Sequence, residues 1–128
     1  MAEELAVKSF QELIVWQRSI DLCEAIYGFT KTFPSDELYG LRSQLRRASV
    51  SIPSNIAEGF GRKSTGELIQ FACIARGSNL EVQTQLVIAK RLRFGMESNL
   101  LQCEQMSIEV GRRLNSWINS LKDRQNSR

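Results

Sequence analysis

Hydrophobic residues recur along most of the chain at intervals of three and four, which is the spacing of one face of an α-helix. The first stripe consists of Leu13, Trp16, Ile20, Cys23 and Tyr27. It steps by three, four, three and four residues and does not alternate as a β-strand does. Comparable stripes follow Pro34, Gly61 and Gly95, where turn-forming residues interrupt the pattern. The pattern therefore predicts four helical segments.

Capping residues set the expected starts of the first two helices. Ser9 and Glu12 form the spacing of a capping box, in which a hydroxyl and a carboxylate satisfy each other's backbone amides. The second helix is expected to start after Pro34, with Ser35 or Asp36 as its cap.

Pro53 stands inside this second helix. Proline lacks an amide hydrogen and clashes with the preceding turn, so we expect a kink near Pro53, with a carbonyl one turn earlier left without its usual partner. Small polar residues surround this position. We expect them to bond the freed backbone groups rather than to line a site. They are Ser49, Ser51, Ser54 and Asn55.

The third and fourth helices are the longest. A capping box of Ser64 and Glu67 opens the third, which should run for about 30 residues to a C-cap at Gly95. The fourth begins near Asn99 and continues to about Leu121, before a polar tail. Four helices with short connections bury their apolar faces most simply as an up-and-down antiparallel four-helix bundle. We therefore expect one all-α domain over residues 1–128, with its core at about 10–121.

The third helix has a second apolar face, about 100° from the first. A peripheral helix of a monomer needs only one such face. The second is either a wide contact inside the bundle or a contact with another protomer, and we favour the protomer contact. The predicted interface residues are Ile69, Cys73, Leu80, Val87 and Phe94.

Composition limits the chemistry. The chain has no histidine, which removes the commonest general base and metal ligand. The three cysteines, Cys23, Cys73 and Cys103, contain no CxxC pair and are expected to be buried hydrophobes. We therefore expect no catalytic residue, no metal and no cofactor. No apolar run approaches the roughly 18–20 residues of a membrane span, and the acidic N-terminus does not resemble a signal peptide. A cytoplasmic protein is expected.

The net charge of +3 is unevenly distributed. Between Gly40 and Gly95 nine basic residues face three acidic ones, a balance of +6. The arginine fork suits phosphate geometry, so this region is where RNA or DNA would bind, although an ordinary solvated surface is the alternative. No aromatic residues are interleaved with the basic ones, so base stacking is not expected. The candidate nucleic-acid-binding residues are Arg42, Arg46, Arg47, Arg62, Lys63, Arg76 and Lys90.

The segment from Gly59 to Thr65 superficially resembles a phosphate-binding loop. However, Arg62 occupies the place of the second glycine, and a helix rather than a strand leads into the segment. We interpret it as a helix-breaking turn with a basic tip.

Several strings of residues resemble one family. They are Phe10 to Leu13, Val15 to Gln17, Phe33-Pro34, Gly40 to Ala48, Ser51 to Gly59, Ile74 to Ser78, and Thr84 to Leu86. The family is that of four-helix-bundle proteins named after reading frames in the intervening sequences of bacterial 23S ribosomal RNA. The resemblance extends from about Phe10 to Leu121. Asn79 is a departure, since many relatives carry an aliphatic residue there.

The resemblance implies a ring-shaped homopentamer with no known enzymatic activity. The family is similar in fold to the accessory protein of diversity-generating retroelements, a basic pentamer that binds nucleic acid and the reverse transcriptase. Our leading hypothesis is a non-enzymatic oligomeric binding module whose partner is RNA, DNA or a nucleic-acid-handling protein. The alternative is a structural or protein-interaction module that binds no nucleic acid.

Overall fold

The computed structural model describes residues 7–127, which form four α-helices and two short 3-10 helices. The α-helices are α1 (Ile14–Thr30), α2 (Leu41–Phe60), α3 (Thr65–Leu92) and α4 (Glu97–Asn126). The 3-10 helices Phe10–Glu12 and Ser35–Glu37 precede α1 and α2. No helix in the described part of the chain combines the length and the apolar character that crossing a membrane requires. The prediction of an all-α fold is confirmed.

The helices are arranged as a square. Each packs against its chain neighbours, α1 also packs against α4, and the backbones of the diagonal pairs do not lie next to each other within residues 7–127. Neighbouring helices are antiparallel: Thr30 at the end of α1 bonds Arg46 near the start of α2, and Thr65 at the start of α3 bonds Arg124 near the end of α4. The predicted up-and-down antiparallel four-helix bundle is therefore confirmed.

Aliphatic side chains from all four helices fill the centre of the bundle. Those with essentially no solvent exposure include Leu22, Ile26, Leu45, Ile52, Ile56, Val82, Leu114, Ile118 and Leu121. Three phenylalanines close the end at which α3 leads into α4. Their ring centroids lie 5.0 Å apart for Phe29 and Phe33, and 5.4 Å apart for Phe33 and Phe94.

The first two α-helices begin later than expected. Ser9 caps the 3-10 helix Phe10–Glu12, and α1 starts at Ile14 after an extended Leu13. Ser35 and Asp36 do not cap α2. Its first amide, that of Leu41, donates to the Glu37 carboxylate at 2.9 Å. A short 3-10 turn thus leads into each of these helices.

The predicted capping box of α3 is present, because Ser64 Oγ accepts from the Glu67 amide and donates to its carboxylate, both at 3.2 Å. The far end of α3 differs from the prediction. Arg93, not Gly95, adopts the left-handed conformation directly after the helix, with φ of 60°. Gly95 is also left-handed, and a Cβ there would lie 2.5 Å from the Phe29 ring.

Helix α2 continues through Pro53 as one element, so the proline does not end the helix. Proline at position 53 cannot donate to the carbonyl of Ser49, four residues earlier. The thiol of Cys23 on α1 donates to that carbonyl instead, at 3.0 Å. Burial raises the pKa of Cys23 to about 11, which keeps the thiol protonated. A cysteine of the neighbouring helix therefore replaces the missing amide.

The polar residues around Pro53 do bond the backbone, but not the Ser49 carbonyl that the proline frees, which Cys23 bonds instead. Ser54 Oγ donates to the carbonyl of Val50 at 2.8 Å, and Asn55 Nδ2 donates to the carbonyl of Ser51 at 2.8 Å. Ser51 also shares a hydroxyl hydrogen bond of 2.9 Å with Ser78 on α3. These hydrogen bonds stabilise α2 internally and join it to α3.

Asn79 lies in the contact between α3 and α4, where it is 1% exposed. Its side-chain amide donates to the carbonyl of Ser107 at 3.0 Å, and its side-chain carbonyl accepts from Ser107 Oγ at 2.8 Å. Gly111 lies beside the pair, since a Cβ there would be 3.1 Å from Asn79 Nδ2. Both polar atoms of the Asn79 side chain thus have a hydrogen-bond partner inside the bundle.

Candidate nucleic-acid interface

Arg46 is one of the two arginines that the sequence places together on α2, and it is tied to α1. Its Nε donates to Thr30 Oγ1 at 2.8 Å, and its Nη2 donates to the carbonyl of Tyr27 at 3.3 Å. The guanidinium also lies 4.4 Å from the Tyr27 ring centroid. Arg42, one turn earlier, is half-buried, and its Nε has no hydrogen-bond partner among the described residues. Arg46 therefore holds two helices together.

Three further arginines of the predicted set also have partners. Arg47 pairs with Glu81 on α3 at 3.2 Å, across a contact in which both side chains are about half exposed. Arg62 pairs with Glu58 at 2.9 Å. Arg76 Nη1 donates to Asn115 Oδ1 on α4 at 3.3 Å. The ion pairs partly neutralise the charges of Arg47 and Arg62, and the hydrogen bond to Asn115 orients the Arg76 guanidinium.

The two lysines of the set are exposed, and neither forms an ion pair with any residue that the structure describes. Lys63 lies in the turn before α3 and Lys90 lies in its last turn, about 40 Å away at 1.5 Å per residue. The seven predicted residues are therefore spread over both ends and the middle of the bundle, and they do not form one patch.

Sequence reasoning did not select Arg91 and Arg93, which flank Leu92 directly after Lys90. Arg91 and Arg93 are exposed, as Lys90 is, and no ion pair to either is found within residues 7–127. We call Lys90, Arg91 and Arg93 the basic end cluster. The sequence signal that could have identified this cluster is the presence of three basic residues within the four positions 90–93. Cations also suit the negative end of the helix dipole, which gives the cluster a structural role as well.

The predicted interface line on α3 is exposed only in its middle. Leu80 is 56% exposed and Val87 is 48% exposed. Ile69, Cys73 and Phe94 are partly buried, and Ile69 and Cys73 pack against the core. On α4, the exposed Ile108 lines one groove with Leu80 and another with Val87, and the exposed Leu101 lies two turns before Ile108. We call Leu80, Val87, Leu101 and Ile108 the first apolar face. The groove between its two helices has a volume of about 450 Å³.

A second apolar face lies about 100° further round α3. It consists of Ile74, Ile88 and Leu92, each more than 40% exposed. Between Arg76 and Lys90, the exposed residues of α3 are Gly77, Leu80, Glu81, Thr84, Val87 and Ile88. Glu81 is the single charged residue among them, and it is paired with Arg47. This outer surface is unusually apolar for a solvent-facing helix.

The structure shifts the pKa of a second cysteine and of one carboxylate. Burial raises the pKa of Cys103 to about 12. A hydrogen bond from Arg113 is the main cause that lowers the pKa of Glu109, with the charges of Arg113 and Arg18 adding to it. No cluster of three or more acidic or cysteine side chains that could hold a metal ion occurs within residues 7–127.

Comparison with known proteins identifies the family. The chain is similar to a crystal structure of a protein with unknown function from the S23 ribosomal protein family of Bacteroides thetaiotaomicron VPI-5482. The TM-score is 0.73 at 22% identity, over 82% of this chain and 98% of that one, which shows a shared fold. No curated protein matches the sequence. The sequence model of the 23S rRNA-intervening sequence proteins matches residues 11–116. Since this range covers most of the chain, the protein belongs to the 23S rRNA-intervening sequence protein family.

Proposed function

We propose that the protein is a non-enzymatic oligomeric binding module that associates with nucleic acid through basic residues repeated around a ring. The observation that carries the nucleic-acid part is the basic end cluster, whose three side chains are exposed and form no ion pair within the described residues. Arginine and lysine without acidic partners are suited to contact phosphates.

The apolar outer surface of α3 supports the oligomeric part. Covering the first apolar face with another protomer removes Leu80 and Val87 from water, at roughly 25 cal/mol per Å² of apolar area. The second apolar face points in a different direction. A two-fold dimer uses one self-complementary surface, whereas a ring needs two different surfaces that meet each other. Two faces about 100° apart favour the ring, and the family resemblance favours five copies.

A ring would increase the effect of a modest basic cluster. Each copy contributes the same three charges at the same end, so five copies present fifteen. Weak contacts that engage together bind far more strongly than one contact alone. Contacts to phosphates carry no base sequence information, so the binding should tolerate many sequences.

A salt titration with random-sequence duplex DNA and random-sequence RNA tests this proposal. Affinity should fall steeply as salt rises, with a log–log slope of roughly −0.9 per neutralised phosphate on duplex DNA. A Lys90→Glu, Arg93→Glu double variant should bind nucleic acid at least about 10-fold more weakly. The slope of its log affinity against log salt should also be flatter. The control is Lys122→Glu, an exposed lysine near the opposite end of the bundle.

The alternative is a structural or protein-interaction module without nucleic-acid binding. The specific observation in its favour is that Arg46, Arg47 and Arg62 already have partners inside the protomer. An affinity for RNA or DNA that changes neither with salt nor with the Lys90→Glu, Arg93→Glu substitutions would favour this alternative. Circular dichroism of each variant must first match the parent, so that loss of binding does not reflect loss of fold.

A further inference from the structure

A pocket of about 280 Å³ lies where the turn between α2 and α3 meets the last part of α4. Its walls include Arg62 and Lys63 from the turn, Thr65 from the start of α3, and Trp117 and Arg124 from α4. Three of these side chains are basic, and no acidic side chain is among the described residues that line the pocket. The turn is the glycine-containing segment that the sequence alone identifies only as a helix breaker.

The N-terminus of α3 opens onto this pocket, since Ser64 and Thr65 line it. The helix is 28 residues long, so the positive end of its dipole is well developed. Ser64 Oγ caps the amide of Glu67, whereas the amides of Thr65 and Gly66 belong to the turn that has no helical acceptor. Free amides at a helix start form an anion-binding arrangement.

Trp117 provides a second, independent observation. The residue lines the pocket, is 8% exposed, and its indole Nε1 is a buried donor with no acceptor among residues 7–127. A buried donor without a partner costs free energy and calls for an explanation. An anion bound at this wall would supply the missing acceptor.

The charges of the pocket are held in place by contacts of different kinds. Arg124 Nη2 donates to Thr65 Oγ1 at 3.5 Å, which holds the guanidinium beside the start of α3. Arg62 stacks 4.7 Å above the Phe71 ring and pairs with Glu58 at 2.9 Å and with Glu67 at 4.0 Å, so its charge is partly neutralised. Lys63 is exposed. Lys63 and Arg124 add two further cationic side chains to the wall of the pocket.

We propose that this pocket binds a phosphate group, either as inorganic phosphate or as the terminal phosphate of a nucleotide chain. The amides of Thr65 and Gly66, the Lys63 ammonium and the Arg124 guanidinium donate to its oxygens, and Trp117 Nε1 donates from the pocket wall. The site lies within one protomer and does not depend on ring assembly or on the basic end cluster. The pocket would recognise a single compact phosphate dianion, whereas the basic end cluster is proposed to contact successive phosphates along a nucleic-acid strand.

Fluorescence of Trp117 provides a direct test. In a Trp16→Phe background Trp117 is the remaining tryptophan. Titration with inorganic phosphate should change its emission saturably, and sodium chloride at the same ionic strength should not. Lys63→Glu and Arg124→Gln should each weaken phosphate binding about 10-fold, because each removes a charge-assisted hydrogen bond. Lys90→Glu, which changes the same charge at the other end of α3, should leave it unaltered.

Two oligonucleotides of identical sequence, one 5′-phosphorylated and one with a 5′-hydroxyl, separate the two sources of phosphate. Tighter binding of the phosphorylated one, lost in Lys63→Glu, assigns the pocket to nucleic-acid ends. Binding of inorganic phosphate without this difference assigns it to a small ligand. A phosphate response that chloride reproduces, or one that survives both pocket substitutions in folded protein, overturns the proposal. Lys90→Glu, Arg93→Glu protein that loses duplex binding but keeps the phosphate response separates this site from the proposed function.

Discussion

Arg46 illustrates how one side chain can change its interpretation once its neighbours are known. The sequence places it one turn after Arg42 in a basic region, which favours a phosphate contact. In the structure its Nε, Nη2 and π contacts all engage Thr30 and Tyr27 of the adjacent helix. Neither partner is near it in sequence, so helix periodicity cannot reveal the contact. The charge is used to connect α1 with α2.

We predict that Arg46→Glu lowers the free energy of unfolding by about 1–3 kcal/mol, because it removes a hydrogen bond to a buried hydroxyl and a cation–π contact. Arg47→Glu is the matched control, since Arg47 makes an exposed ion pair of small energetic value. Urea unfolding followed by circular dichroism measures both. Equal effects for the two variants would contradict the structural role of Arg46.

Helix α2 shows how a defect within one element is corrected by another. Pro53 deprives the Ser49 carbonyl of its amide, and Cys23 of α1 supplies a thiol in its place. The sequence predicts the unpartnered carbonyl but not its new donor, because the donor comes from a different helix. The proline and the cysteine therefore act as a pair.

We predict that Cys23→Ala lowers the free energy of unfolding by about 1–2 kcal/mol, because the Ser49 carbonyl loses its donor. Cys23→Ser keeps a donor and should cost less. Pro53→Ala restores an amide at position 53, so the cost of Cys23→Ala should fall by about 0.5 kcal/mol or more in that background. Additive effects in this double-mutant cycle would show that the two residues act separately.

Glu109 connects α4 to α1 through Arg18, at 3.2 Å, and accepts from Arg113 within α4 at 2.9 Å. These contacts lower the pKa of Glu109 from its ordinary value of 4.5. A lowered folded-state pKa contributes stability above pH 4.5 that is lost as the pH falls through the folded value. The contribution should be a fraction of a kcal/mol because the carboxylate is 44% exposed.

The corresponding variant is Glu109→Gln. It should be slightly less stable than the parent at pH 7, and the difference should shrink as the pH falls below 4.5 and through the lowered pKa of Glu109, where the carboxylate becomes protonated. Thermal unfolding at pH 7, 5 and 3 measures this convergence. A difference that stays constant with pH would assign the effect of the substitution to packing rather than to charge.

The helices themselves follow from local pattern, and the Ser64–Glu67 box fixes the start of α3 because its partners are three residues apart. The start of α2 could not be placed in this way, since a 3-10 turn and the Glu37 carboxylate replace the expected cap. The site was harder still. Arg47 and Glu81 are 34 residues apart, and such pairing is invisible to composition. Local signals predict elements, whereas tertiary partners decide which charges remain available.

The whole molecule has two exposed apolar faces, and these faces bear on its oligomeric state. We predict that Leu80→Glu dissociates the oligomer without loss of helicity, because it places a charge in the first apolar face. Met96→Glu is the matched control, since Met96 is 57% exposed in the turn between α3 and α4 and lies outside both faces. Light scattering at micromolar concentration reports the mass. A monomeric parent, or unfolding of Leu80→Glu, would contradict the prediction.

Mixing two variants distinguishes a ring from a two-fold dimer. Leu80→Glu damages the first apolar face and Ile88→Glu damages the second, so each protomer keeps one intact face. If the two faces meet each other, an equimolar mixture should form a dimer of one Leu80→Glu and one Ile88→Glu protomer. If each face pairs with its own copy, the mixture should contain dimers of like protomers only.

The Asn79–Ser107 pair has a consequence for how α3 and α4 find their alignment. The buried positions of both helices repeat every seven residues. On α3 one series is Ala72, Asn79 and Leu86, and on α4 one series is Leu100, Ser107, Leu114 and Leu121. Sliding one helix by two turns would place apolar residues against apolar residues almost everywhere. It would also leave the asparagine and the serine unpaired in the interior. Hydrophobic contact holds the two helices together, and this buried polar pair favours their correct register, together with the Arg76–Asn115 and Arg124–Thr65 contacts between the same helices.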